Sequence, residues 1–312
     1  MLNWKQFLFV WACFAGFTVC ALAEDSLRIS MDDARLQVLQ QDQVLMEYAY
    51  RDVPFKPYVQ ALAAPSGLNI LRDAPADHLH HHGLMFAISV NDVSFWAETE
   101  ADGQQIHQAF HDVETGDWVG SHGAGFTQSL VWKTPAEEAV LLEERTVRVM
   151  PSPAHQATLL SWTSACRVPA GIENAEISGA HYYGLGMRFI EAMDQIGRFL
   201  NARGTQGEIF RGEERLAPAE WSAYQVTVEG QPLTVAMFDH PHNFRPVTWF
   251  TMPEPFAYLS ATLNYHEEPF TLSQGEELDV TYGVAVLEGH REEQIEGVYD
   301  FWLNQMSKSE IE

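Results

Sequence analysis

Apolar residues recur at every second position through much of this 312-residue chain, and that period confines it to a largely β-sheet structure. Residues 140–150, 156–168 and 278–286 all alternate in this way. Residues 233–238 are apolar on both parities, which is typical of a strand buried on both faces. Turn-forming stretches rich in Gly, Pro and Ser separate such segments, without helical patterns between them. The sequence therefore predicts an all-β fold, an antiparallel β-sandwich.

One helical pattern lies near the C-terminal end of the sequence. Ile295, Val298 and Trp302 fall close to one stripe within residues 291–307, which predicts a C-terminal helix that packs against the sheet or caps its edge. No internal repeat or linker-like tract divides the chain. We therefore expect residues 24–312 to form a single domain.

The first 23 residues have the pattern of an export signal. Lys5 is followed by an uncharged apolar run that closes at Ala21-Leu22-Ala23, the small-residue pattern of a signal-peptidase site. A retained membrane anchor is the alternative. We expect cleavage, a periplasmic or secreted mature protein, and no stable membrane insertion after the signal is removed. Cys166 is then the one cysteine that remains in the mature protein. Its place in an alternating run predicts a buried structural thiol.

The charge of the chain excludes one class of partner. Forty-three Asp and Glu against 18 Lys and Arg give a formal net charge of −25. A surface this acidic repels phosphate backbones, so we expect no nucleic-acid partner.

Histidine is concentrated in two runs that each adjoin a predicted core strand. The first run is Asp77-His78-Leu79-His80-His81-His82-Gly83, directly before a predicted strand at 84–90. The second is Asp239-His240-Pro241-His242-Asn243, directly after the strand at 233–238. Loops at strand ends often carry function. We therefore expect the two runs to meet at one site.

Imidazole near neutral pH can donate a proton, accept one or bind a metal. In the acid–base interpretation His78, His81 and His240 are the candidate acids or bases, and Asp239 stabilises an imidazolium. The metal interpretation, with a divalent metal as cofactor, draws its ligands from the same runs: His78, His80, His81 and His240. Successive side chains of an extended strand face opposite ways, so His80 and His81 share a pocket only if the chain turns there.

Further residues are candidate substrate contacts. Arg188 lies in an apolar, strand-like setting, where it needs a carboxylate, either of the protein in a structural Arg–Glu pair or of a substrate. Arg188 and Asn243 are expected to hold hydroxyl or carboxylate groups. Trp96 or Trp249 is expected to stack on a sugar ring. Two residues of the first run complete the predicted substrate-binding set: Asp77 and His80.

The motifs together resemble the PmoA-like family of bacterial proteins, a group of largely unknown function. The resemblance runs in order over most of residues 50–290 and rests on these segments: Lys56-Pro57-Tyr58-Val59, Pro65-Ser66-Gly67, residues 77–86, residues 91–96, Gly186-Met187-Arg188, residues 239–243, Pro246 and Trp249-Phe250. The chain departs from the family pattern at Leu79, His82 and Met85. The usual setting of the family, beside sugar-degrading enzymes, implies a carbohydrate role. A large supersandwich of the galactose-mutarotase type is one form of the predicted fold.

The leading hypothesis is an exported carbohydrate-processing enzyme, a hydrolase, lyase or epimerase, that acts on a small-molecule or oligosaccharide substrate by His and Asp acid–base chemistry. Two alternatives use the same residues differently. One is a metal-dependent oxidoreductase that uses the His cluster, and the other is a non-catalytic sugar-binding module that relies on Trp96 or Trp249.

Overall fold

The computed structural model describes residues 27–118 and 121–309, and most regular structure in them is β-strand. The expected signal segment, residues 1–23, lies outside the described residues. In chain order the strands are β1 Leu27–Met31, β2 Arg35–Gln40, β3 Gln43–Ala49, β4 Tyr58–Leu62, β5 Leu84–Ala87, β6 Ser89–Val90, β7 Val93–Ser94, β8 Gln104–Trp118, β9 Ser121–Lys133, β10 Ala139–Ser152, β11 Ala157–Arg167, β12 Asn174–Ser178, β13 Gly184–Arg188, β14 Arg198–Asn201, β15 Glu208–Arg211, β16 Glu214–Pro218, β17 Trp221–Val228, β18 Gln231–Asp239, β19 Thr248–Met252, β20 Tyr258–Thr262, β21 Phe270–Ser273 and β22 Leu278–Glu288. The helical elements are the α-helix α1, Ile295–Ser309, and short 3-10 helices at Pro153–His155, Glu191–Met193 and Glu292–Gln294. Within the described ranges, no helix is both long and apolar enough to cross a bilayer.

The strands pair antiparallel and form three sheets. The ten-stranded sheet has the order β1-β2-β3-β4-β5-β13-β20-β19-β16-β15, and the eight-stranded sheet has the order β14-β17-β18-β22-β11-β10-β9-β8. A small sheet, β21-β12-β6-β7, completes the fold. The prediction of an all-β antiparallel sandwich with a C-terminal helix is confirmed.

Side-chain alternation places the main core between the two large sheets. On β5, Leu84 and Phe86 belong to the main apolar cluster, which they share with Val147 of β10. Met85 and Ala87 point the other way and belong to a separate cluster. Successive residues of a strand face opposite sides of the sheet. The separate cluster therefore lies on the outer face of the ten-stranded sheet.

Helix α1 covers the outer face of the eight-stranded sheet. Its Trp302 packs with Ala236 and Phe238 of β18, whereas Val235 and Met237 of the same strand face the main core. Strand β18 is thus buried on both faces, as its sequence predicts. The helix packs against the sheet, which is one of the two placements expected for it.

A buried ion pair on β10 is hydrogen-bonded across the main core to the other large sheet. Arg145 of β10 donates hydrogen bonds of 2.8 Å to each carboxylate oxygen of Glu143 and one of 3.0 Å to the hydroxyl of Tyr48 on β3. A buried pair is tolerated when its remaining donors and acceptors are also hydrogen-bonded. The thiol of Cys166 is buried and free in the same core, as expected.

Candidate functional site

A cleft of about 390 Å³ lies on the outer face of the ten-stranded sheet. Its lining is largely aromatic and apolar, with members from four segments of chain: Trp96, Tyr182, Phe250, Met252, Pro255, Phe256 and Tyr258. His78, His80 and His81 also line it, as do Arg211 and Glu214 of the β15–β16 hairpin. An apolar cavity with a few polar groups is the usual form of a small-molecule site.

Successive turns bring the histidines of the first run to this cleft. The amide of His78 donates to the Pro75 carbonyl, and the amide of His81 donates to the His78 carbonyl, both at 2.9 Å. These turns supply the change of direction that an extended chain lacks, so His80 and His81 reach one pocket. At the end of the run, Gly83 has φ +22° and a Cβ there would lie 2.2 Å from the Val59 carbonyl oxygen, so the close approach requires glycine.

The imidazoles of the cleft pack against one another. The rings of His78 and His81 stack with centroids 4.6 Å apart, and His80 meets His81 edge-on at 4.6 Å. Burial and the neighbouring His80 and His78 rings lower the pKa of His81 to about 2. Burial also lowers the pKa of His80. A pKa so far below neutral pH makes His81 a weak base and disfavours the acid or base role predicted for it.

His82 lies beneath the cleft in a different environment. Its Nδ1 is 2.6 Å from Asp73 and its Nε2 is 2.9 Å from Glu98, which also accepts a 2.6 Å bond from the ammonium of Lys56. Burial lowers the pKa of His82, but the two carboxylates outweigh burial and raise it. His82, at one of the positions where the chain departs from the pattern of the PmoA-like family, is thus hydrogen-bonded through both ring nitrogens and anchors the loop.

His78 has an orienting partner of its own. Its Nδ1 is 3.1 Å from Oδ2 of Asp77, so the carboxylate fixes one ring nitrogen and leaves Nε2 available for a ligand. Within this pair His78 lines the cleft, and both side chains retain solvent access.

The other wall of the cleft holds residues that the sequence analysis missed. Glu214 accepts from Arg211 at 2.6 Å and contacts Nε2 of His181 at 3.0 Å. The ring of Phe210 stacks on His181 at 3.7 Å. Glu214 sits in a charged turn that is indistinguishable by sequence from a solvated hairpin. The segment Gly179-Ala180-His181-Tyr182-Tyr183 before β13 is the sequence feature that could have indicated this wall of the cleft.

Polar atoms in the cleft lining are buried without a hydrogen-bond partner among the described residues. They are Nε1 of Trp96, the hydroxyl of Tyr258 and Nδ1 of His81. Trp96 lies at the cleft as expected, with its ring stacked on Tyr183 at 4.9 Å. Unpaired buried polar atoms are uncommon in native proteins and indicate a missing partner.

A second cleft adjoins the first and contains Arg188. Its volume is about 570 Å³, and it shares Pro255 and Phe256 with the aromatic cleft. Arg188 is 1% exposed, and its Nη2 is 3.6 Å from Asp77 and 3.9 Å from Asp194. The predicted alternative of a structural Arg–Glu pair is not formed by Glu191, which accepts from Arg72 instead.

The second histidine run does not reach either cleft. Asp239 accepts from the side chain of Asn243 at 2.7 Å and from the amide of Val247 at 2.9 Å, and its carbonyl accepts from Tyr299 of α1. The His240 ring lies 5.7 Å from Trp302 of α1. The run is therefore a turn seated at the helix side of the eight-stranded sheet. The expected meeting of the two runs at one site is wrong.

Two other sequence expectations are also corrected. Trp249 is fully buried in the main core and donates to the Ala219 carbonyl at 2.8 Å, so it is not placed to stack on a ligand. The metal set that joins His78, His80 and His81 to His240 is not assembled, because His240 lies with α1. Within residues 27–118 and 121–309, no group of three or more His, Cys, Asp or Glu is arranged to hold a metal ion.

Comparison with solved structures shows weak likenesses. GH36 alpha-galactosidase AgaB from Geobacillus stearothermophilus is 8% identical, with a TM-score of 0.48 over 84% of this chain and 41% of that one. A galactose mutarotase related enzyme from Lactobacillus acidophilus is 6% identical, with a TM-score of 0.26 over 86% of this chain and 99% of that one. The chain thus spans about two fifths of the length of the galactosidase that it matches.

Sequence comparison identifies the family. No curated protein matches the chain. The family model that matches covers residues 35–300 and describes a family of unknown function. The expected place in the PmoA-like family is therefore wrong, because the matching model is a different one. With 266 of its residues inside that match, the chain belongs to the family of unknown function DUF6807.

Proposed function

We propose that the protein is a carbohydrate-processing enzyme and that its reaction takes place in the aromatic cleft. The observation that carries the proposal is the aromatic lining of the cleft, which also includes the imidazole of His78 and the carboxylate of Glu214. Aromatic faces pack on the C–H faces of sugar rings, and hydroxyl groups of the same ring hydrogen-bond to such polar groups. A purely apolar ligand would not use these polar groups.

Proton transfer is assigned to His78 and Glu214. Asp77 orients His78, and His181 with Arg211 orients Glu214. The His81 ring, next to His78, lies 5.1 Å from the ring of Tyr258 on β20, and Glu214 lies two strands further along the sheet. Neighbouring strands are about 4.8 Å apart, so the two walls are separated by roughly 10 Å, which is enough for one sugar ring.

The pair of groups favours a reaction with one base and one acid. In the described part of the chain, Glu214 is the one carboxylate that lines the aromatic cleft. Most glycoside hydrolases use two carboxylates that flank the bond, so hydrolysis of that type does not fit. Epimerisation or elimination fits better, because one group removes a proton and the other delivers one. His81, neutral at pH 7, would donate or accept a hydrogen bond without exchanging a proton.

The test uses a panel of neutral aldohexoses, hexuronates and their di- and trisaccharides, followed by proton NMR in deuterated water. This measurement detects epimers, elimination products and deuterium incorporated at carbon. We expect turnover of at least one compound, and a loss of about 10²- to 10⁴-fold in Glu214→Gln and in His78→Gln. His122 forms an exposed pair with Asp117 at 3.0 Å, so His122→Gln is the matched control and should keep full turnover.

A sugar-binding module is the second candidate, because the cleft lining is mostly apolar and aromatic. It predicts sugar binding without conversion, which is lost in Trp96→Ala and retained in Glu214→Gln. That result, or unchanged turnover in both proton-transfer variants, would overturn the proposed chemistry.

A further inference from the structure

The second cleft adjoins the proposed reaction site. It is bounded by Pro255 and Phe256, which also line the aromatic cleft. The hydrogen bond between Asp77 and His78 crosses the boundary, since Asp77 lines the second cleft and His78 lines the first. A ligand longer than one ring that occupies both clefts would therefore lie beside the His78–Asp77 pair.

Arg188 lines this second cleft with an incomplete set of partners. It is 1% exposed, and its Nε and Nη1 have no hydrogen-bond partner among the described residues. Its closest carboxylate oxygen, on Asp77, is 3.6 Å from Nη2, which is beyond a good hydrogen bond. The guanidinium carbon lies 3.5 Å from the ring centre of Phe256. A buried guanidinium with unpaired donors is costly, so an oxygen acceptor from a ligand would complete the site.

The charges around Arg188 determine which kind of ligand oxygen the second cleft can bind. The cleft is lined by two guanidinium groups, of Arg72 and Arg188, and by three carboxylates: Asp77, Glu191 and Asp194. The carboxylates outnumber the cations, so an anionic ligand is repelled. Hydroxyl groups suit this mixture, because each can donate to a carboxylate and accept from a guanidinium.

We propose that the second cleft is a sugar subsite that binds the neighbouring ring of a neutral di- or oligosaccharide through its hydroxyl groups. The inference rests on the proposed function of the aromatic cleft and narrows its substrate to a chain of at least two rings. Glu191 and Asp194 are the carboxylates that accept from those hydroxyls, and Arg188 donates.

The test compares binding of one and two rings by isothermal titration calorimetry. The probes are glucose with maltose and cellobiose, and galactose with lactose, with digalacturonate as the anionic arm. For the wild type we expect at least one neutral disaccharide to bind about tenfold or more tightly than its monosaccharide, and digalacturonate to bind more weakly than that disaccharide. In Glu191→Gln the disaccharide advantage should fall to about twofold or less.

Two further variants keep the test decisive. Asp194 accepts from the amide of Ala257 at 2.8 Å, directly after the Pro255–Phe256 segment. The variant Asp194→Asn therefore also tests whether this hydrogen bond is needed to hold that segment in place. Glu268, which contacts Arg245 on the surface, provides the matched control Glu268→Gln, and its disaccharide advantage should equal that of the wild type. Equal affinity for one and two rings, an unchanged advantage in Glu191→Gln, or tighter binding of digalacturonate would overturn the subsite while leaving the aromatic cleft proposal standing. No binding of any sugar would overturn both.

Discussion

Adjacent histidines in the first run have pKa values that are shifted in opposite directions. His82 lies between two carboxylates, which raise its pKa despite burial. The ring of His81 lacks such a partner, and burial lowers its pKa to about 2. Because its low pKa makes His81 a poor proton carrier, the proposed proton transfer is assigned to His78, whose ring nitrogen is held by Asp77. His82, which anchors the loop, is thus the direct chain neighbour of His81, which faces the cleft.

Asp239 gives the protein a pH-dependent stability. Burial raises its pKa from 3.8 to about 6, against the opposing hydrogen bonds from Val247 and Asn243. Between about pH 4 and pH 6 the unfolded chain loses this proton while the folded protein keeps it, so the free energy of unfolding falls as pH rises. A shift of about two pKa units corresponds to about 3 kcal/mol. We expect the wild type to lose about this much stability relative to Asp239→Asn between pH 4 and pH 7, measured by urea unfolding.

The comparison is repeated in 1 M salt as its control. Salt screens exposed charges strongly and buried ones weakly, so the pH dependence of the difference should persist. A difference in unfolding free energy that is constant from pH 4 to pH 7 would show that Asp239 ionises normally in the folded protein.

At the residue scale, the sequence predicts which side chains are unusual better than it predicts their roles. Arg188 stands out as a cation in an apolar strand, and the structure buries it beside Asp77 with donors left over. Trp96 and Trp249 have the same residue type and similar motif settings, but only Trp96 faces a cleft. Which tryptophan lines a cleft depends on which face of the sheet it packs against, and a motif does not contain that information.

At the element scale, the contact between β22 and α1 depends on the absence of a side chain. A Cβ at Gly283 would lie 2.7 Å from the Trp302 ring and 2.8 Å from the Phe238 ring. Gly283→Ala therefore pushes the helix away from the sheet, and overpacking of this kind costs about 1–3 kcal/mol. We expect a lower midpoint of thermal unfolding and a red shift of tryptophan fluorescence as Trp302 is exposed.

Gly297 provides the matched control for this contact. It lies on α1, and a Cβ there would meet nothing within 4 Å. Alanine is favoured over glycine inside a helix by roughly 0.5–1 kcal/mol, so Gly297→Ala should raise the unfolding midpoint. If both alanine variants change stability equally, close packing at Gly283 does not position the helix.

Elements whose apolar residues recur with a strong period were predictable from the sequence. The charged β15–β16 hairpin was not. The double-sided pattern at 233–238 became β18, and the stripe at 291–307 became α1, because burial on defined faces decides both. The expected strand at 84–90 splits into β5 and β6, which belong to different sheets. The hairpin β15–β16, which brings Glu214 to the cleft, has its charged residues grouped around the turn, in Arg211-Gly212-Glu213-Glu214-Arg215. Nothing in its pattern separates a site wall from a solvated turn.

At the scale of the whole molecule, sheet order decides which loops meet. The first histidine run precedes β5 of the ten-stranded sheet, and the second follows β18 of the eight-stranded sheet. Both flank strands with strong core patterns, but the first run lies at the outer face of the ten-stranded sheet, and the His240 ring of the second packs against α1 on the outer face of the eight-stranded sheet. The sequence predicts each loop from local pattern. It does not predict their separation, because the pairing of distant strands is a long-range property.

This arrangement predicts that the two histidine runs act independently. His78 lies at the ten-stranded sheet, whereas Asn243 is hydrogen-bonded to Thr281 of the eight-stranded sheet, and packed sheets are roughly 10 Å apart, so the two side chains share no contact. Asn243 exchanges hydrogen bonds with Thr281 at 2.6 and 2.9 Å, and its loss in Asn243→Ala should cost about 1–3 kcal/mol of stability. In a double-mutant cycle with His78→Gln, the unfolding free energies should add to within about 0.5 kcal/mol. Sugar turnover should fall with His78→Gln alone, by the same factor in both backgrounds. A coupling above about 1 kcal/mol, or a turnover loss in Asn243→Ala alone, would mean that the two runs form one centre after all.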